Sequence, residues 1–267
     1  MPEKALFLGE GPRSAGYLEG ALQTAYTVER VYANQPLDDR GVDYPLVILS
    51  DYPSHHLGAE QQKRLVRLVE RDGAGLLMIG GWASFAGPRG SYHGTRLSEL
   101  LPVELLGDDD RANTPLGTIL VARREPHPAI AAVQRSRQYC VVCGYNRVLP
   151  RSEAQTLIHG YALHVAPGSI PRYGIAAATG GRMTLRELPS QTAAPSARLN
   201  KLSSPMLAVW EWGRGRVAAF APDVSPHWAG GIIDWGAERL TLPNGAEIGH
   251  LYRDFLLDLC AWLRGAS

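Results

Sequence analysis

Residues 44–51 read YPLVILSD, and residues 75–81 read GLLMIGG. Each is a short, uninterrupted apolar run that ends at a polar or glycine residue, which is the pattern of a strand buried on both faces of a parallel sheet. Between the two runs lies an amphipathic helix pattern, with Glu60 in its first turn and Gly73 just past its end. The order strand, helix, strand predicts a crossover connection between two parallel neighbours.

The same alternation occupies the N-terminal segment. Residues 5–8 predict a strand that ends at Gly9, and residues 26–32 predict a second strand. An apolar helix face with Ser14 as the candidate N-cap separates them. These patterns predict an α/β fold, with helices on both faces of a parallel sheet that binds ligands at the carboxyl ends of its strands. The stretches that follow the predicted strands are 9–13, 51–56 and 80–87.

The middle of the chain has a different pattern. Its strand-like segments are separated by stretches rich in Pro, Gly, Arg and Ser, which favour loops. These segments are 102–106, 116–122, 139–142, 156–165 and 173–178. We therefore predict a single domain over residues 1–267, in which residues 107–204 form a β-rich insertion or subdomain.

The C-terminal segment predicts a hairpin followed by a helix. Residues 205–212 and 216–221 form two strand patterns around a glycine-rich turn. The final apolar helix stripe includes Leu251, Phe255 and Leu259, and Asn244 with Glu247 resembles a capping box at its start. This helix is expected to cover one face of the sheet.

Composition narrows the class of protein. The chain has 267 residues, with 27 basic and 26 acidic side chains and a formal net charge of +1. This balance gives no electrostatic reason to expect nucleic acid or a membrane surface as a partner. No apolar run approaches the roughly 18 residues of a membrane span. Three cysteines cannot build a disulfide framework, and the first residues show no secretory pattern, so we expect a cytoplasmic protein.

Motifs for a metal or cofactor are incomplete. Cys140 and Cys143 form one Cys-x-x-Cys pair without the second pair of a zinc site, and on a strand their side chains face opposite sides. Gly9 and Gly11 flank Glu10 but do not complete a dinucleotide-binding Gly-x-Gly-x-x-Gly motif. We therefore predict no cofactor and no metal.

Several of these features together resemble the class I glutamine amidotransferase-like superfamily. The likeness is greatest to a bacterial group of glutamine amidotransferase-like proteins, and weaker to trehalose-utilisation proteins. It rests on the buried strand before Asp51, the turn Gly80-Gly81-Trp82-Ala83-Ser84-Phe85, and the segment Asp223-Val224-Ser225-Pro226-His227-Trp228. It covers most of the chain, best at 1–106 and 205–265. The resemblance implies a flavodoxin-like, doubly wound and mostly parallel sheet.

The resemblance also assigns catalytic positions. Catalytic members carry a cysteine on the turn after the strand that corresponds to residues 75–79, with a histidine as its base and a carboxylate that orients the histidine. Here that turn has no cysteine. His227 stands at the position of the histidine, and Asp223 either orients it or forms an Asx turn. Ser84 is either a substitute nucleophile or the N-cap of a following helix.

The remaining candidates are ligand-binding residues. Glu10 and Asp51 each follow a predicted strand at the ligand-binding edge of the sheet. Asp51 is either a site carboxylate or a cap of the loop. Gly80 and Gly81 permit either the close approach of a ligand or a tight turn. Trp82 is either a platform for a ligand ring or a packing residue beneath the loop.

Three functions remain open from the sequence. The favoured hypothesis is a non-catalytic pseudoenzyme that binds a small molecule or a protein partner, since the expected nucleophile is missing. The alternative is a divergent hydrolase or amidotransferase-type enzyme that uses His227 with water or a non-cysteine nucleophile. A homo-oligomeric role built on the hairpin with Trp210 and Trp212 is the third. Classical cysteine-dependent glutaminase activity is not expected.

Overall fold

A computed structural model describes residues 2–37, 44–136, 138–165, 172–179, 182–188, 197–199, 203–226, 228 and 231–265. The helices are α1 (Pro12–Gln23), α2 (Ala59–Asp72), α3 (Arg96–Leu100), α4 (Ala131–Arg135) and α5 (His250–Leu263). The first eight strands are β1 (Glu3–Gly9), β2 (Tyr26–Tyr32), β3 (Leu46–Ser50), β4 (Gly75–Ile79), β5 (Val103–Leu105), β6 (Arg111–Ala122), β7 (Cys140–Asn146) and β8 (Val148–Pro150). The others are β9 (Gln155–Val165), β10 (Arg172–Thr179), β11 (Arg182–Leu188), β12 (Ala197–Leu199), β13 (Ser204–Trp212), β14 (Gly215–Phe220), β15 (Arg239–Thr241) and β16 (Glu247–Gly249).

Within the described part of the chain, ten strands form one sheet in the order β2-β1-β3-β4-β14-β13-β9-β6-β7, with β12 paired to β9. Neighbours from β2 to β14 are parallel. Neighbours from β14 to β7 are antiparallel. The α/β prediction is confirmed, and the parallel strands run in the order 2-1-3-4-5 that is typical of doubly wound sheets.

Helices bury the parallel half of the sheet. Every residue of β3 and β4 is buried, as the continuous apolar runs indicated. Helix α5 contacts β4 and β14 beside α1, whereas α2 contacts β14 beside α3. Helix α2 buries Leu65, Leu68 and Val69 and ends at Gly73, whose φ of 77° is the left-handed conformation that glycine adopts most easily. This end of α2 confirms the prediction from sequence.

Two predicted helix starts are wrong. Helix α1 has Gly11 as its N-cap and Pro12 at its first position, rather than Ser14 as N-cap, because the fixed φ of proline suits the first turn. Helix α5 has Gly249 as its N-cap. Glu247 lies in β16, and Asn244 accepts a hydrogen bond from the Ala246 N–H, so they form no capping box for α5.

Some of the strands within residues 107–204 belong to the same sheet as the parallel strands, and others form small separate sheets. Strands β6, β7 and β9 join the main sheet through β13, whereas β10 pairs with β11. The predicted hairpin of β13 and β14 is present. Its Trp210 is half-buried and donates a hydrogen bond to the Leu100 carbonyl at 3.0 Å, so this indole is used within the chain. The homo-oligomeric role remains a prediction.

None of the helices in the described residues is long and apolar enough to cross a membrane.

The end of β4 gives a test of packing. A Cβ atom on Gly80 would lie 1.9 Å from the Ala221 carbonyl oxygen, so Gly80→Ala requires β4 and the end of β14 to separate. We expect the free energy of unfolding, measured with urea, to fall by about 1–3 kcal/mol. In the control Gly107→Ala, the added Cβ meets only the edge of His93 at 4.0 Å and the stability should be unchanged. Equal stability of the two variants would contradict this packing.

Candidate functional site

A cleft of about 800 Å³ opens at the carboxyl ends of β1, β2 and β3. Strand β1 lies between β2 and β3, and the chain leaves β1 for β2 before it returns to β3 on the other side. The order of the strands therefore reverses beside β1, and this reversal creates a crevice in which doubly wound folds bind ligands. The cleft is lined by Glu10, Gly11, Tyr32, Ala33, Asn34, Gln35, Asp51, Pro53, Ala83 and Arg89.

Asp51 joins this cleft to the turn after β4. It follows β3, is buried, and has a φ of 52°, a left-handed conformation that Asp tolerates better than most residues. Its Oδ1 accepts a hydrogen bond from the Ala83 N–H at 2.7 Å, and its own N–H donates to Ser84 Oγ at 3.1 Å. A Cβ atom on Gly81 would lie 2.1 Å from Asp51 Oδ2. The carboxylate therefore lies directly against the turn, where only glycine fits.

Two buried residues that the sequence analysis missed hold the same turn. Asn146, at the end of β7, accepts a hydrogen bond from the Gly81 N–H at 2.8 Å and donates to the Gly81 carbonyl at 3.2 Å. Its Nδ2 also donates to Asp110 Oδ1 at 2.6 Å. Asp110 Oδ2 accepts from the Ala86 N–H at 2.9 Å. Neither residue stands in a motif, and only the pairing of the antiparallel strands brings them to the turn.

These contacts occupy backbone N–H groups of the turn at which the resemblance expects a nucleophile. Besides the N–H groups bound by Asp51, Asn146 and Asp110, the Gly80 N–H donates to the carbonyls of Phe220 and Pro222 at 2.8 and 3.2 Å. An oxyanion hole needs N–H groups that point at the reacting oxygen. Gly80, Gly81, Ala83 and Ala86 direct theirs to oxygen atoms of the protein.

Ser84 does not lie at the start of a helix. It is 1% exposed, and its hydroxyl accepts from the backbone of Asp51. The prediction that it caps a following helix is wrong, because residues 80–95, all of which the structure describes, form turns before α3 begins at Arg96. The chain instead bends at Phe85, which is buried with a φ of 49°.

Trp82 lies at the surface between two cations. Its side chain is 38% exposed, and the guanidinium carbons of Arg111 and Arg89 lie 4.0 and 4.9 Å from the centres of its rings. Arg111 also binds Asp109 with two nitrogen atoms, and this hydrogen bonding lowers the pKa of Asp109 to about 2. Arg89 lines the cleft, so Trp82 supports a residue of the cleft wall.

Of the candidates near the C-terminal end of the chain, Asp223 is described and follows β14. Asp223 is buried after β14, and its Oδ1 accepts from the Ser225 N–H at 2.8 Å, which is the predicted Asx turn. Asp223 is not among the residues that line the cleft. His227 falls outside the described residues, so its role as a base and its orientation by Asp223 stay predictions.

None of the three cysteines lies in the turn after β4. Cys140 and Cys143 lie on β7, and Cys260 lies on α5. Burial raises the pKa of the Cys140 and Cys260 thiols to about 12, so neither supplies a thiolate near neutral pH. Among the described residues, His, Cys, Asp and Glu side chains form no group that could hold a metal ion.

Comparison with known proteins agrees with the resemblance seen in the sequence. Residues 37–164 match the family model described as "Putative glutamine amidotransferase". This match confirms the likeness to the class I glutamine amidotransferase-like superfamily. None of the curated proteins searched matches the chain.

Two solved structures share the fold. The cytoplasmic protein STM3548 from Salmonella typhimurium is 22% identical, with a TM-score of 0.67 over 97% of this chain and 98% of that one. The cytoplasmic protein STM1381 from Salmonella typhimurium LT2 is 24% identical, with a TM-score of 0.57 over 84% of this chain and 90% of that one. The architecture is therefore shared across nearly the whole length of both neighbours.

The buried Asp110 gives a pH-dependent test of the polar contacts around the turn. Burial raises the pKa of Asp110 above its ordinary value of 3.8, although its hydrogen bonds from Ala86 and Asn146 act to lower it. Its carboxyl therefore holds more protons in the folded than in the unfolded state, and its contribution to the free energy of unfolding falls as the pH rises from 3.8 through the raised pKa.

We expect Asp110→Asn to lose one acceptor at every pH and to lack this titration. The difference in unfolding free energy between the wild type and the variant should therefore shrink with rising pH, and urea unfolding from about pH 4 to about pH 8 measures it. A difference that is constant or grows over that range would contradict the raised pKa.

Proposed function

We propose that this glutamine amidotransferase-like protein is a non-catalytic binding module that holds a small molecule in the cleft between β1 and β3. The single observation that carries the proposal is the place of the cleft, at the point where the strand order of the parallel sheet reverses. Folds of this class bind ligands there because the connections on either side of the central strand diverge and leave an open crevice.

The chemistry of the lining suits a polar ligand. Glu10 and Asp51 bring carboxylates to the cleft, and Arg89 brings a guanidinium. Within the described part of the chain Arg89 has no carboxylate partner, and its side chain stacks on Trp82. Between these groups lie Ala33, Pro53 and Ala83, which give the cleft apolar walls. A mostly apolar crevice with a few placed polar groups is the usual form of a small-molecule site.

The turn after β4 supports binding without nucleophilic catalysis. It carries no cysteine. Its serine is buried against Asp51, and three of its N–H groups donate to oxygen atoms of the protein, as does the N–H of Ala86 just after it. A thiol route to glutamine hydrolysis needs both an activated nucleophile and free donors for the oxyanion. We infer that the turn serves as one wall of the binding cleft.

Filling the cleft tests the binding function directly. Gly11 lines the cleft, and a Cβ atom on it would meet no atom within 4 Å, so Gly11→Trp has room to place an indole at the cleft. We expect this variant to lose at least about tenfold in affinity for any small molecule that raises the melting temperature of the wild type in a thermal-shift screen.

Gly11→Ala is the matched control. Like Gly11→Trp, it removes the glycine N-cap of α1, which lowers the free energy of unfolding by about 1 kcal/mol or less, but it does not add the volume of the indole. It should bind as the wild type does. Equal binding by the wild type and Gly11→Trp would place the ligand elsewhere and overturn the proposal.

Glutamine hydrolysis separates the binding module from the enzyme alternative. We expect the purified protein to release no ammonia from glutamine above the buffer background, because the turn lacks a thiol nucleophile. Coupled glutamate dehydrogenase assays measure the ammonia. Release that disappears in His227→Ala would instead support the divergent enzyme that uses His227.

A further inference from the structure

We propose that the ligand of the cleft carries a planar heteroaromatic ring, of the nucleobase or flavin type, which stacks on Tyr32. The inference rests on the proposed binding function and adds the chemical class of the ligand. It is carried by one aromatic side chain at the cleft, by the buried cation behind it, and by two amide side chains next to it.

Tyr32 is one of the residues that line the cleft. It is the last residue of β2, is 37% exposed, and is the aromatic residue of the cleft lining. The guanidinium carbon of Arg30 lies 4.9 Å from the centre of its ring, so one face of the ring is covered by a cation. Because Tyr32 is 37% exposed and lines the cleft, we infer that the uncovered part of its ring is accessible from the cleft. A planar ligand ring can stack there, since aromatic rings attract one another in offset arrangements.

Arg30 fixes this ring in place. Its side chain is only 7% exposed, and it binds the Glu19 carboxylate and the Glu10 carbonyl. Its guanidinium carbon also lies 4.7 Å from the centre of the Phe7 ring. Arg30 therefore connects α1, the end of β1 and the end of β2 behind the cleft. A ring that is already immobilised loses little conformational entropy when a ligand stacks on it.

Two amides stand beside the ring. Asn34 and Gln35 are exposed in the cleft, and their side chains make no hydrogen bond to any other described residue. The backbone beneath them is held, because the Gln35 N–H donates to the Tyr32 carbonyl at 2.8 Å and Tyr52 Oη donates to the Gln35 carbonyl at 2.7 Å. A carboxamide offers a donor and an acceptor together, which matches the alternating edge of a nitrogen heterocycle.

The size of the cleft agrees with such a ligand. A volume of about 800 Å³ lies within the range of pockets that bury ligands of nucleoside or flavin size. Ala33, Pro53 and Ala83 supply the apolar surface that a ring face requires. The polar lining residues supply partners for the edge of such a ring and for its substituents.

Calorimetric titration with matched probes tests the inference. The ring-bearing probes are adenosine, guanosine and riboflavin, and their ring-free counterparts are ribose and ribitol. We expect at least one ring-bearing probe to bind the wild type at least tenfold more tightly than its ring-free counterpart. Tyr32→Leu, which keeps an apolar side chain but removes the ring, should weaken that binding about fivefold or more, the lower limit for loss of one stacking contact.

Two variants serve as controls for the titration. Tyr32→Phe keeps the ring and should bind with the affinity of the wild type. Tyr139→Leu changes a 73% exposed tyrosine outside the cleft and should also leave the affinity unchanged. Thermal unfolding of each variant confirms that it is folded.

The outcomes separate this inference from the proposed function. If Gly11→Trp blocks the binding of ligands without rings while none of the ring-bearing probes binds, the binding module stands and the ring preference is wrong. Ring binding that is equal in the wild type and Tyr32→Leu would also overturn the stacking on Tyr32. If no small molecule binds in a way that depends on Gly11, both proposals fail.

Discussion

The structure depends on how the turn after β4 is held. Strand β4 lies between β3 and β14 in the main sheet, and backbone groups of the turn that follows it bind buried side chains. Asp51, Asn146 and Asp110 supply the side-chain partners for those groups. A buried donor or acceptor that loses its partner costs about 1–3 kcal/mol, so each of these contacts is a sizeable part of the stability of a single domain. The bonds to Asp51 and Asp110 are stronger than neutral ones wherever the carboxylate is ionised.

The same contacts explain why the candidate site lies beside β1 and β3 instead of at β4. Backbone N–H groups that donate to the protein's own oxygen atoms are unavailable to a substrate. The space beside Gly80 is occupied by the Ala221 carbonyl, and the space beside Gly81 by the Asp51 carboxylate, so a ligand has no room to approach these glycines there. The crevice between β1 and β3 has no such occupants among the described residues. This crevice results from the reversal of strand order beside β1, and that reversal does not depend on the residues of the turn after β4.

Local sequence patterns predicted the parallel half well, because strands β1 to β4 and helix α2 are each specified by their own apolar periodicity. Residue pairs that meet only through long-range strand pairing were not predictable. Asn146 and Asp110 have no apolar pattern and no motif, and the pairing of β6 and β7 brings them to Gly81 and Ala86. The predicted start of α5 was wrong for a related reason, since Asn244 makes tertiary and turn contacts with Gly16 and Ala246.

The turn also links the two halves of the sheet mechanically. Asp51 reaches it from the parallel half, whereas Asn146 and Asp110 reach it from the antiparallel half. Ala83, which is fixed by Asp51, is at the same time a wall of the cleft. The antiparallel strands and the cleft wall are therefore connected through these hydrogen bonds and the backbone of the turn between Gly81 and Ala86. In this arrangement the β-rich region does more than enlarge the sheet, because two of its polar residues hold the turn that contains Ala83.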